Sequence, residues 1–114
     1  MEISYAHSKI RKICTDARIA QKELGKRATL VLQERLYQMR DAESLEDLRL
    51  LPGRYHELKG ERKGERKGQL ACSLTDQLRL VFTPANDPLP TKPDGGLDWS
   101  EVTAVMNVEI VDYH

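Results

Sequence analysis

After a short alternating stretch at Glu2–Tyr5, helical periodicity dominates the first 50 residues of this chain, and strand alternation dominates the rest outside 84–101. That division decides the fold class. From His7 to about Arg40 the apolar residues recur at helical spacing. Ile10, Ile13 and Cys14 share one face, and Leu24, Ala28, Val31, Leu32, Arg35 and Met39 share another, with Leu36 beside it. Thr15 and Asp16 read as a break or an N-cap, and Gly25 weakens the early turns of the second, longer helix. Ser44–Leu50 reads as a short helix capped by Ser44 and Asp47, and Pro52-Gly53 ends it. Strands are expected at Glu2–Tyr5, Arg54–Leu58, Gln69–Leu74, Leu78–Thr83 and from Val102 to Tyr113. Helices followed by strands predict an α+β domain: two N-terminal helices, one short and one long, on one face of a mostly antiparallel sheet.

The 114 residues suffice for one domain, 1–114, with a Pro/Gly-rich connection at 84–101 that alternation leaves structureless. Charged residues make up 32% and aromatics 5%, a globular rather than a disordered composition. The net charge of zero argues against a general nucleic-acid binder, but the charge is unevenly spread. Residues 1–84 hold 12 acids and 17 bases, and residues 85–114 hold six acids and one base. No apolar leader opens the chain and no run reaches membrane-spanning length, so a cytoplasmic location without membrane partners is expected. Cys14 and Cys72 read as reduced core thiols. Their spacing and the three scattered histidines fit no zinc motif, so neither metal nor cofactor is expected.

The stretch Tyr55–Phe82 concentrates the chemistry. His56 and Lys59 end one strand, a basic glycine loop repeats ERKG at 61–64 and 65–68, and Arg79 sits within the second strand of a hairpin. Alternation sets Arg79 opposite Leu78, Leu80 and Phe82, on the side away from the helices. It sets His56 with Leu58 in the buried set and Lys59 with Tyr55 and Glu57, so the two do not share a face of a regular strand. In the last strand it sets Val102, Ala104, Met106, Val108 and Ile110 against Thr103, Asn107, Glu109 and Tyr113. His7 reads as a helix-start surface residue and Trp99 as a loop anchor packed on the core.

The segment HELKGERKG…QLACSLTDQLRLVF, with the closing VEIVDYH, resembles the HigB branch of the RelE/ParE toxin superfamily of bacterial type II toxin–antitoxin pairs. The resemblance rests on His56–Gly60, on Arg79 before an apolar strand end, and on the terminal Asp112-Tyr113-His114. It implies a curved four- to five-stranded sheet whose concave face binds mRNA in the ribosome. It also implies neutralisation by a cognate helix-turn-helix, HigA-like antitoxin, and ribosome-dependent cleavage of mRNA. Cleavage through the RNA's own 2′-hydroxyl needs a base, cations for the phosphorane and an acid for the leaving oxygen. On this reading Arg79 and Lys59 stabilise the phosphorane, and His56, Tyr113 or His114 move protons. Arg62, Lys63, Arg66 and Lys67 contact RNA, with either Arg62 or Arg66 matching the family's loop arginine. Two other readings stand beside it: a toxin of the same fold that poisons gyrase by binding, and an inactive antitoxin-binding module.

Overall fold

The computed structural model describes residues 1–59 and 68–112. The chain is α+β. Its elements run β1 (Glu2–Tyr5), α1 (Ser8–Thr15), α2 (Ala17–Leu24), α3 (Lys26–Asp41), β2 (His56–Glu57), β3 (Leu70–Ser73), β4 (Leu78–Pro84) and β5 (Ala104–Asp112). One five-stranded sheet has the order β1-β5-β4-β3-β2. Three pairings are antiparallel and the β1–β5 pairing is parallel.

Three helices stand where two were expected, and the boundaries have local causes. Asp16 ends α1, and its carboxylate accepts the backbone N–H groups of Arg18 and Ile19 to start α2. Gly25, at φ +89°, closes α2 and opens α3, a backbone state that glycine adopts without a Cβ penalty. The expected capping box is present: Asp47 accepts from the Ser44 N–H at the start of a 3-10 turn, Leu45–Leu48. His7 is exposed, and its Nδ1 accepts the Ile10 N–H at the start of α1.

The register assigns the faces of the sheet. Leu70, Cys72, Leu80, Phe82 and Ile110 fall on one face and share a core with Ile10, Ile13, Leu32, Leu36 and Met39 of the helices. The expected strand Arg54–Leu58 contracts to His56–Glu57, because Gly53 and Arg54 both hold positive φ and cannot extend it upstream. The expected alternation in the last strand also fails in its first half. Val81 pairs with Glu109 but Phe82 pairs with Asn107, so Val108 is an extra residue in a β-bulge. The bulge reverses parity: Val105 and Asn107 are fully buried on the core side, and Glu109 still faces the other way.

Residues 84–101 have structure of their own, contrary to expectation. Asn86 Oδ1 accepts the N–H groups of Thr103 and Ala104, and Thr91 bridges to Leu97. Trp99 begins a 3-10 turn and is buried. Its Nε1–H donates to Glu57 at 2.9 Å, and the Arg49 guanidinium lies 4.0 Å from its ring centroid. Trp99 is therefore an anchor that ties this connection to β2.

Burial pushes the Cys72 thiol up to about 12 and the half-buried Cys14 thiol up to about 11. An unfolded thiol titrates near 9.0, so the folded chain keeps a Cys72 proton that the unfolded chain loses. Stability is thus fully present below pH 9 and falls as pH rises toward 12, by about 1.4 kcal/mol per pH unit from Cys72. Urea unfolding at pH 8 and pH 10 is expected to show this loss, and Cys72→Ala to reduce it. An unchanged loss in the variant excludes Cys72 as its source.

Candidate functional site

The face of the sheet away from the core carries the chemistry-bearing side chains. One row crosses four strands: His56 pairs with Ala71, Ala71 with Val81, and Val81 with Glu109. The next row holds Ser73, Arg79 and Val111. Paired residues in an antiparallel sheet project from the same face, and so do residues two apart on one strand. Ala71 and Val81, between His56, Arg79 and Glu109 on this face, are fully buried. From strand spacing and rise, the His56 and Arg79 backbones lie about 12 Å apart.

His56 is exposed on this face, not in the buried set that alternation gave it. The cause lies in its neighbours. Tyr55 packs inward, its ring edge-on to Phe82 at 6.2 Å and its hydroxyl donating to Gln38 at 2.8 Å. Glu57 accepts the Trp99 N–H on that same inner side. With both flanking residues turned inward, His56 turns out. Its Nδ1 lies 2.7 Å from the Arg54 carbonyl oxygen. A carbonyl only accepts, so Nδ1 carries the proton, and in the neutral ring Nε2 holds the free lone pair.

Lys59 is exposed two residues beyond the end of β2. Arg62, Lys63, Arg66, Lys67, Tyr113 and His114 lie outside the described residues. Among the described residues no group of three or more His, Cys, Asp or Glu side chains is placed to hold a metal. None of their helices is long and apolar enough to cross a membrane.

Two arginines that the sequence pattern did not single out join the site. A groove of about 530 Å³ opens at the turn end of the β3–β4 hairpin, lined by Arg27, Arg54 and Arg79 together with Ser73, Thr75 and Asp76. Arg27 comes from the first turn of α3 and Arg54 from the turn before β2, so only the tertiary fold brings them to Arg79. The one local signal was Arg54 itself, a base immediately after the Pro52-Gly53 breaker.

No protein-family model matches the chain, and no curated protein matches it either.

Proposed function

We propose that the protein is a ribosome-dependent mRNA endonuclease toxin of the RelE/ParE type, held inactive by a helix-turn-helix antitoxin in the cytoplasm. The observation that carries the reading is that an exposed imidazole of fixed tautomer and a strand arginine lie on the same face of the sheet. His56 Nε2 accepts the proton of the 2′-hydroxyl. The 2′-oxygen then attacks phosphorus, and the P–O5′ bond breaks, leaving a 2′,3′-cyclic phosphate and a 5′-hydroxyl. Arg79 supplies a planar fork to the phosphorane oxygens, where its charge is worth most in the transition state. Lys59 adds a second cation, and Tyr113 or His114 supplies the proton for the leaving oxygen.

The experiment is induction of the chain from a tightly repressed promoter, with mRNA 5′ ends mapped by primer extension. The wild-type chain is expected to arrest growth and cut mRNA. His56→Gln keeps a polar side chain without a titratable nitrogen and is expected to cut about 10²–10⁴-fold more slowly. Harmless expression with intact mRNA rejects the toxin reading. DNA damage without mRNA cuts selects the gyrase-binding alternative. Equal cutting by His56→Gln removes the histidine from the mechanism.

A further inference from the structure

The strand that carries the candidate base has little sheet to hold it. β2 consists of His56 and Glu57 and pairs on one side only, with Ala71 and Leu70 of β3. The Leu58 N–H, which donates to the Gln69 carbonyl at 2.8 Å, extends this ladder by one bond. So short an edge ladder does little to fix how the strand is turned about its own axis. Side chains supply the rest. Before His56, Tyr55 is seated between Phe82 and Gln38. After it, the Glu57 carboxylate accepts the Trp99 Nε1–H at 2.9 Å. A charged acceptor makes this one of the stronger kinds of hydrogen bond. The donor end is rigid. The indole is buried, the Arg49 guanidinium lies 4.0 Å from its ring centroid, and Arg49 is itself paired with Glu46 at 2.5 Å. Trp99 also opens a 3-10 turn that Asp98 caps by accepting the Ser100 N–H. With Tyr55 and Glu57 both held inward, His56 projects outward and its Nδ1 meets the Arg54 carbonyl at 2.7 Å.

We infer that Trp99 and Glu57 are positioning residues for His56: their bond holds the edge strand so that the ring keeps its Nδ1–H on the Arg54 carbonyl and presents Nε2 on the open face. The catalytic consequence rests on the RNA-cleaving reading, and the effect on the ring rests on the geometry alone. Neither side chain takes part in the bond changes. The tie makes the 84–101 connection, which holds no candidate catalytic residue, a working part of the site.

The test uses the full chain and compares Glu57→Ala, Trp99→Phe, the two combined, and Glu57→Gln. Circular dichroism identifies the folded variants. Glu57 is exposed, so its replacement leaves the core in place, and Glu57→Ala decides alone if Trp99→Phe does not fold. Long-range proton–nitrogen NMR, at a pH where the ring is neutral, reads the tautomer of His56, whose signals are assigned by their loss in His56→Gln. The wild-type ring is expected to carry its proton on Nδ1. In Glu57→Ala and Trp99→Phe the proton is expected to shift toward Nε2, since the tautomer follows the hydrogen bond that fixes it. The combined variant is expected to add nothing to either single one, because each removes the same bond. Glu57→Gln keeps a carbonyl acceptor for the indole N–H and is expected to keep the wild-type tautomer. In a reconstituted translation reaction, kcat for mRNA cleavage is expected to fall about 10- to 100-fold in the two bond-breaking variants, with KM unchanged, and to recover in Glu57→Gln. A wild-type ring protonated on Nε2, or a wild-type tautomer in folded Glu57→Ala, overturns the positioning role. So does a Glu57→Gln variant that behaves as Glu57→Ala does, or a shifted tautomer with an unchanged cleavage rate. A tautomer that shifts in a chain that never cuts mRNA keeps the tie and removes the nuclease. A chain that cuts mRNA, with variants matching it in both tautomer and rate, does the reverse.

Discussion

Under the proposed function, Arg79→Ala is expected to slow mRNA cleavage by about 10²–10³-fold and to relieve growth arrest, the range found when one positioned donor to a developing oxyanion is removed. The size follows from position. Arg79 lies mid-strand in β4, paired with Ser73 and Val111, so its backbone is fixed on both sides by the sheet. A donor held this way needs no reorganisation as charge builds on the phosphorane. Its side chain leaves the sheet opposite to Leu80 and Phe82, which belong to the core, so its removal leaves that core intact. Arg79→Lys separates charge from geometry. It keeps the cation and loses the fork, and it is expected to retain activity between the wild-type and alanine levels. Trp99 fluorescence reports whether each variant is folded, since this single, buried tryptophan reads the native packing of the 84–101 connection. Cleavage by folded Arg79→Ala at the wild-type rate excludes Arg79 from the reaction.

What the sequence disclosed about this site depended on how regular the backbone is at each position. Arg79 was legible because β4 keeps a two-residue period from Leu78 to Phe82, and the core takes one set of that alternation. Arg35 fell on the apolar stripe of its helix, and it is indeed buried, its Nε donating to the Ser73 carbonyl at 2.8 Å. The capping pair Ser44 and Asp47 and the Thr15–Asp16 break were local signals, and local chemistry decided them. His56 and Asn107 were misplaced for different reasons. For His56 the alternation holds, but the inner set is Tyr55 and Glu57 rather than Leu58, and for Asn107 the bulge at Val108 shifts parity. An acid on the inner side of β2 also misleads a hydropathy pattern, since Glu57 is there to accept a bond from a tryptophan 42 positions away. The arginine groove was not legible, because no pattern in the chain brings residues 27, 54 and 79 together.

Gly53→Ala is expected to destabilise the protein by about 3 kcal/mol, the sum of a strained backbone and a displaced buried arginine. Gly53 has φ +133°, a region nearly closed to residues with a Cβ. A Cβ built there meets Arg35 Nε at 2.8 Å and Tyr55 Cε1 at 3.0 Å. Neither neighbour yields easily. Arg35 is committed to the Ser73 carbonyl, and Tyr55 is fixed between Phe82 and Gln38. The Gly53 carbonyl also accepts both the N–H and the hydroxyl of Ser73, so it docks this turn against β3. Urea unfolding followed by Trp99 fluorescence measures the loss, which corresponds to a fall in Tm of roughly 10 °C for a domain of this size. Gly25→Ala is the matched control. Its φ of +89° disfavours alanine too, but nothing lies within 4 Å of the added Cβ, so only the backbone penalty of about 1 kcal/mol remains. Equal losses in the two variants would mean that the Arg35 contact contributes nothing. A larger loss at Gly53 has a functional consequence, because Arg54 comes next and its carbonyl orients His56. Gly53→Ala is then expected to slow cleavage even at temperatures where it is folded, while folded Gly25→Ala cleaves at the wild-type rate.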